Sequence, residues 1–546
     1  MNKNKPSRYT PLLLSLCLVF GILIGTFYAN HFSGTTLNII NTSSNKINDL
    51  LRIIDAQYVD TVNMSELVEQ AMPQILAELD PHSAYISAKD VEASTESLKG
   101  SFSGIGVSFR VQSDTARIIN VIKGGPSEKV GLLAGDRIVS VDGKDITGPK
   151  ITAEECQQRI KGKKGTKVKL GIRRTGESET IFYTITRGEI PMHSIDAAYM
   201  LTPEVGYVKI NTFSETTYAE LLVALAQLNQ KGFKSLVVDL RDNAGGIMQI
   251  AIEMVNIFLP KNRLILYTEG RNSPREDYVS DGRGAFPSLP LVVLVNEASA
   301  SASEIFAGAI QDNDRGTILG RRSFGKGLVQ QPIEFRDGSA LRLTIARYYT
   351  PSGRCIQKPY IKGHADDYDN DLIERYKRGE FFSIDSIKQY GTEYKTTLGR
   401  TVYGNGGITP DIFIPEDTAD ITSYYSEALY SGLIHQYAWD FTDQHRTELN
   451  NLETINEITN YLDHQNLPGH FADFAQSKGL RRRNLMLNKS RRLFRRTLYS
   501  LIINNCKETE QYYEFLNADD PTVLRAIEVL EAGEAFPKAP QQTNTE

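Results

Sequence analysis

Apolar and polar positions change rhythm three times along the chain. From Asn45 to about Val91 the spacing is helical. Leu50, Leu51, Ile53 and Ile54 begin one amphipathic segment, and Leu67, Val68, Ala71, Ile75, Leu76 and Leu79 make another. Leu79-Asp80-Pro81-His82-Ser83-Ala84-Tyr85 then breaks the helix, and its lone His82 reads as a loop or packing histidine. From Ser94 to Arg187 the pattern becomes short strands and glycine turns. From Tyr199 to about Pro415 it alternates strand (Val205 to Ile210, Ser235 to Leu240, Leu289 to Val295, Gly316 to Gly320) with helix (Tyr218 to Gln230, Ala251 to Leu259, Ala302 to Gln311). That alternation predicts an α/β layer with a mostly parallel sheet. The Pro-, Gly- and Arg-rich sequence between Gly270 and Pro290 reads as an exposed loop. From Asp417 onward the chain is helical and polar, with Asp520-Pro521 opening one helix as N-cap and first-turn proline.

At 546 residues the chain needs more than one core. A formal charge of −5 argues against a nucleic-acid partner. Cys17, Cys156, Cys355 and Cys506 are scattered, which predicts neither a disulfide framework nor a metal site. Lys3, Lys5 and Arg8 precede an apolar run from Leu12 to Tyr28, at the lower limit for a membrane span. The basic flank stays in the cytoplasm, so the remainder is expected outside it, behind an uncleaved anchor over residues 1–30. A cleaved signal peptide competes, but the apolar run is long for one and no small-residue site ends it. The arginines at 481–483, 491, 492, 495 and 496 read as a solvated helix face, with anionic lipid heads as the second reading.

The candidate chemistry lies mid-chain. Val295-Asn296-Glu297-Ala298-Ser299-Ala300-Ser301-Ala302-Ser303-Glu304 follows an apolar strand and opens a helix. Such an elbow presents a hydroxyl where free backbone N–H groups can hold developing negative charge. Phe324-Gly325-Lys326-Gly327-Leu328-Val329-Gln330-Gln331 puts a lysine on a glycine-flanked turn before the next strand. No histidine lies between His193 and His364, so the local pattern favours Ser/Lys over Ser/His/Asp chemistry. The residue types alone do not choose among the three serines.

Ser103-Gly104-Ile105-Gly106-Val107-Ser108-Phe109 resembles the carboxylate-binding loop of a PDZ domain. Ala134-Gly135-Asp136-Arg137-Ile138-Val139-Ser140-Val141-Asp142-Gly143 resembles the middle of that fold. Glycines there let N–H groups converge on a peptide's terminal carboxylate while an open strand edge pairs with the peptide. Together with Asp239-Leu240-Arg241-Asp242-Asn243-Ala244-Gly245-Gly246, the serine and lysine runs and Gly406-Gly407-Ile408-Thr409-Pro410-Asp411, these blocks stand in the order of the carboxy-terminal processing peptidases (tail-specific proteases). The chain resembles that family over about Leu50 to Pro415.

The resemblance implies a multidomain α/β fold. A crotonase/ClpP-like peptidase core (195–415) would carry an inserted PDZ domain (94–188), with a helical region (45–93) before it and a helical extension (416–546) after the core. It implies Ser301 as nucleophile, chosen by the family's serine-to-lysine spacing, Lys326 as general base and Gln330, rather than Gln331, as its orienting partner. Backbone N–H groups of Ala302 and of Gly245 or Gly246 would form the oxyanion hole, and Gly104, Ile105, Gly106 and Val107 the peptide-binding loop. Ala244 departs from the Pro or Gly usual there. Asp239, Arg241 and Asp242 read as structural salt-bridge residues. No cofactor or metal is implied. The partners implied are protein substrates with exposed C-terminal tails and the membrane through the N-terminal helix. A regulatory or adaptor protein and a homo-oligomer are admitted. The implied location is the bacterial cell envelope, anchored in the inner membrane with the catalytic part in the periplasm. Two other readings differ in class: an inactive PDZ-containing binding scaffold, and a crotonase-like acyl enzyme. The intact serine, lysine and glutamine disfavour the first. The lack of a coenzyme-A pattern disfavours the second.

Overall fold

The computed structural model describes residues 42–112, 114–174, 176–387 and 391–540. The apolar run from Leu12 to Tyr28, and the anchor read from it, lie outside these residues. Among the described residues no helix is long and apolar enough to cross a membrane. The chain forms two compact units, Met1–Gln74 and Ile75–Glu546. The first contains helix Thr42–Gln57 and most of helix Met64–Ala77. The second contains everything that follows.

Runs such as Leu291-Val292-Val293-Leu294-Val295 are apolar at every position, and all five residues are buried. That is the signature of a parallel strand covered on both faces. Six strands form the central sheet in the order Ile195–Met200, Val205–Ile210, Ser235–Asp239, Leu291–Val295, Thr317–Gly320 and Ile412–Phe413. The first pair is antiparallel and the rest are parallel. Alternate residues serve opposite faces. Val208, Leu236, Val238 and Val293 meet Leu225, Val255, Phe306 and Ile310 on one side. Val237, Val292, Leu294 and Leu319 meet Val523, Ala526, Val529 and Leu530 on the other.

The C-terminal extension therefore has two parts. The helices from Ser423–Tyr430 to Arg491–Cys506 enclose a core of their own around Phe441, Phe471, Phe494 and Leu498. The helix Pro521–Glu531 instead closes the second face of the central sheet. Asp520 caps it, accepting from the N–H groups of Thr522 and Val523, as the Asp-Pro signal predicts. Five of the seven arginines of the basic stretch pair with acids, among them Arg495 with Asp463 at 2.9 Å and Arg492 with Asp417 at 2.6 Å. The basic stretch is thus largely neutralised, as a solvated helix face should be.

A second sheet is antiparallel. Ala340–Tyr349 pairs with Ala84–Ile86, Leu328–Glu334 and Leu264–Glu269, and the last of these pairs with Glu276–Val279. The segment between Gly270 and Pro290, expected as a loop, thus contains an edge strand. Its charged residues, Glu276 and Asp277, suit an edge and hide it from an apolar-pattern reading. The PDZ domain has its own core around Ile118, Ile138, Leu170 and Ile185 and lies between Ala84–Ile86 and the central sheet in chain order. Replacing Val523 by Asp puts an unpaired charge against the buried sheet. It is expected to cost about 3–5 kcal/mol, read as a lowered denaturation midpoint of the full chain.

Candidate active site

Three neighbouring parallel strands end side by side, and each feeds one loop of the site. Ser235–Asp239 leads to Asn243–Gly246, Leu291–Val295 to Ser299–Ser301, and Thr317–Gly320 to Ser323–Gly327. The carboxyl ends of parallel strands are where α/β sheets place ligands.

The three serines separate physically. Ser299 is fully buried, donating to the Leu240 carbonyl at 2.8 Å and accepting from Asn296 N–H at 2.9 Å. Ser303 is fully buried and donates to the Asn243 carbonyl at 2.8 Å. Ser301 is only half-buried and caps helix Ala302–Asp312. Its backbone has φ +56° and ψ −113°, a region that L-residues rarely occupy. Its N–H donates to Glu304 Oε2 at 2.9 Å, and its carbonyl accepts from the Tyr348 hydroxyl at 3.1 Å. Gly245 lies so close that a Cβ there would be 2.7 Å from Ser301 Cβ.

Glu304 joins the serine loop to the lysine loop. It has no exposed surface, and four donors reach it. Ser301 N–H and Lys326 N–H (2.8 Å) donate to Oε2; Ser323 Oγ (2.5 Å) and Gly325 N–H (2.7 Å) donate to Oε1. Burial pushes its carboxyl above the ordinary carboxylate range, opposed by these bonds. With four donors and no acceptor around it, the ionised form is the one that fits. The Tyr348 hydroxyl also reaches both loops, lying 2.7 Å from the Lys326 carbonyl as well as near that of Ser301.

Lys326 is half-buried. Burial first, and then Arg342 beside it, lower the amine from its ordinary value of 10.5, while Glu304 and Asp80 pull the other way. Its Nζ donates to Gln330 Oε1 at 3.4 Å, beside a bulge at Val329 and Gln330. Gln330 Nε2 donates to the main-chain carbonyl of His82. Gln331 is exposed and makes no such contact. Ser301 Oγ and Lys326 Nζ share no hydrogen bond. His82 is held neutral: burial, then Lys326, depress it from 6.5 to about 4, with Asp80 opposing.

The glycine loop distinguishes its two N–H groups. Gly245 N–H is engaged by Asn243 Oδ1 at 2.8 Å. Gly246 N–H has no partner among the described residues. Ala302 is the first helical residue, so its N–H is one of the orphans of that terminus. Nearby, Asp239 pairs with Arg241 at 2.6 Å, and Arg241 with Asp520 at 2.9 Å, as the salt-bridge reading of Asp239 and Arg241 expects. Asp242 instead accepts a hydrogen bond from Asn296 Nδ2 at 2.8 Å. Arg241 thereby fastens the glycine loop to the cap of the C-terminal helix. Among the described residues no His, Cys, Asp and Glu side chains cluster so as to hold a metal.

In the PDZ domain Gly104, Ile105, Gly106 and Val107 line a groove of about 450 Å³ with Phe109 and Gln157. The Ile105 and Gly106 carbonyls are occupied by Ser127 N–H and Ile122 N–H, while the Ile105 and Gly106 N–H groups have no backbone partner.

A serine elbow over a parallel sheet, beside a desolvated lysine and with a peptide-binding module inserted in the chain, defines a PDZ-bearing peptidase. Residues 204–367 match Peptidase family S41, 103–184 a PDZ domain, and 424–506 a family of unknown function. The carboxy-terminal processing protease CtpA of Bacillus subtilis is 35% identical over 344 residues, covering 61% of this chain and 73% of that protein. The carboxy-terminal-processing protease of Bartonella bacilliformis is 36% identical over 330 residues, covering 59% and 75%. Among solved structures, the photosystem II D1 C-terminal processing protease is 24% identical with a TM-score of 0.36, covering 70% of this chain and 95% of that one. The chain belongs to the carboxy-terminal processing protease family and is a serine endopeptidase.

The sequence pattern assigns no role to Glu304 or Tyr348, and it reads His82, in the helix-breaking turn, as a loop or packing histidine. Only Glu304 carried a local signal, the Ser-x-x-Glu spacing of a capping box. Glu304→Gln places an amide NH₂ against the N–H donors. It is expected to cost about 2–4 kcal/mol in denaturant titration. Lys326→Met removes the desolvation penalty and should raise the thermal midpoint. His82 binds its proton near pH 4 when folded and near 6.5 when unfolded. Its contribution to stability is complete above pH 6.5 and falls as the pH drops toward 4. The thermal midpoint of wild type relative to non-titrating His82→Gln is expected to decline over that window.

Proposed function

We propose that this endopeptidase acts outside the cytoplasm of a bacterium, held to the inner membrane by its N-terminal apolar run. It recognises the C-terminal ends of protein substrates through the PDZ groove and cleaves with a Ser301/Lys326 dyad. The observation that carries the reading is the convergence of Ser301, Lys326 and the Gly245–Gly246 loop on adjacent strand ends. Lys326 is desolvated there and faces a neutral acceptor, not a carboxylate.

Nζ approaches Oγ as substrate binds. Ser301 Oγ attacks the scissile carbonyl while Lys326 takes its proton and passes it to the leaving amine. Water then hydrolyses the acyl-enzyme. Ala302 N–H and the free Gly246 N–H are the donors best suited to the oxyanion, with Gly245 N–H joining if Asn243 releases it. The PDZ groove raises the local concentration of tails at the site.

Incubating the purified soluble part with an unstructured, tail-exposed protein and reading the products by mass spectrometry tests this. Ser301→Ala and Lys326→Ala are each expected to lose at least about 10³-fold in kcat with the fold intact. Wild-type cleavage by either variant would remove that residue from the mechanism.

A further inference from the structure

A closed circuit of hydrogen bonds leaves the main chain beside Lys326 and returns to its amine. Gly327 N–H donates to Gln357 Oε1 at 2.8 Å, and Gln357 Nε2 donates to the Tyr368 hydroxyl oxygen at 3.2 Å. Tyr368 Oη lies 2.9 Å from His82 Nε2. The His82 carbonyl accepts from Gln330 Nε2, and Gln330 Oε1 accepts from Lys326 Nζ at 3.4 Å. Tyr368 oxygen accepts from Gln357, and with a neutral ring whose Nε2 is the acceptor its own proton goes to His82 Nε2. Asp80 fixes the turn that carries His82. It accepts from His82 N–H (2.8 Å), Ser83 N–H (2.9 Å), Ser83 Oγ (2.6 Å) and Thr344 Oγ1 (3.1 Å). Tyr368 is itself buried, with its ring edge-on to His82 at 5.1 Å and to Phe324 at 5.7 Å.

We propose that His82, Tyr368 and Gln357 are positioning residues for the base: through the His82 carbonyl they lock the Gln330 amide so that only its oxygen faces Lys326 Nζ. The chemistry makes this orientation matter. An amide oxygen takes one N–H of the amine and leaves the nitrogen lone pair for Ser301. A flipped amide would turn its NH₂ on that lone pair and block the base. The inference rests on the Ser/Lys reading above.

Breaking the circuit frees Gln330 and admits water to Nζ. The charged and titratable groups facing Lys326 are Arg342 from the adjoining strand, Glu304 from the nucleophile helix, and Asp80 and His82 from the turn, with Lys358 beyond His82. None changes charge in Tyr368→Phe. Rehydration alone then raises the amine's pKa and moves the acid limb of the kcat/KM profile to higher pH.

The full chain as Tyr368→Phe, His82→Ala, His82→Gln and the Tyr368→Phe/His82→Ala double variant is assayed on a peptide with a free apolar C-terminus, with Lys326→Ala as control. Each of Tyr368→Phe and His82→Ala is expected to lower kcat at least tenfold with KM within twofold. The acid limb should move upward by half a pH unit or more. The double variant should be no worse than its weaker single, and His82→Gln should recover part of the loss. A wild-type kcat and acid limb in Tyr368→Phe, or a loss with the limb unmoved, overturns the positioning role. If His82→Ala does not fold, Tyr368→Phe, which removes one oxygen, decides alone. Activity in Lys326→Ala would instead overturn the dyad and not the circuit.

Discussion

One buried carboxylate holds the site together. Glu304 sits on the helix that Ser301 opens, and it accepts N–H groups from both the serine loop and the lysine loop. A fully buried charge is tolerated only when its lone pairs are filled, and here four donors fill them. Without Glu304, the strained conformation of Ser301 and the turn at Lys326 would each leave donors unpaired in the interior. The carboxylate thus does for geometry what it must not do for chemistry. It binds Lys326 through the backbone, while the side-chain amine meets a glutamine.

That separation explains the choice of residues. In the proposed dyad, a carboxylate in hydrogen-bond contact with Nζ would keep the ammonium charged and useless as a base. A glutamine oxygen orients the amine at little electrostatic cost. Burial and Arg342 then depress the pKa against the residual pull of Glu304 and Asp80. The same arrangement costs stability, as catalytic sites commonly do. The cost is borne by a core in which the central sheet is covered on both faces, one of them by a helix from the far end of the chain.

Four of the six central strands were legible from apolar runs with glycine or polar punctuation; the edge strands Ile195–Met200, with Asp196 inside it, and the two-residue Ile412–Phe413 were not. The order of motifs also singled out Gln330, together with Ser301 and Lys326, whose loops the fold brings to adjacent strand ends. The edge strand Glu276–Val279 was not legible, since its stability comes from pairing and its composition is that of a loop. The role of Pro521–Glu531 was also hidden. Its apolar stripe announces a buried face, but nothing local says that the partner lies more than two hundred residues earlier in the chain. His82 shows the same limit. Alone in its turn it carries no pattern, and its surroundings come from Gln330 and Tyr368, which lie far away in sequence.

The central claim is that desolvation holds the Lys326 amine below the pKa of an ordinary lysine. The most direct measurement is the pH dependence of its acetylation rate in the folded full chain, read peptide by peptide by mass spectrometry beside the exposed lysines of the same digest. The account predicts a Lys326 midpoint well below the ordinary 10.5 of those lysines. A midpoint that coincides with theirs would contradict it.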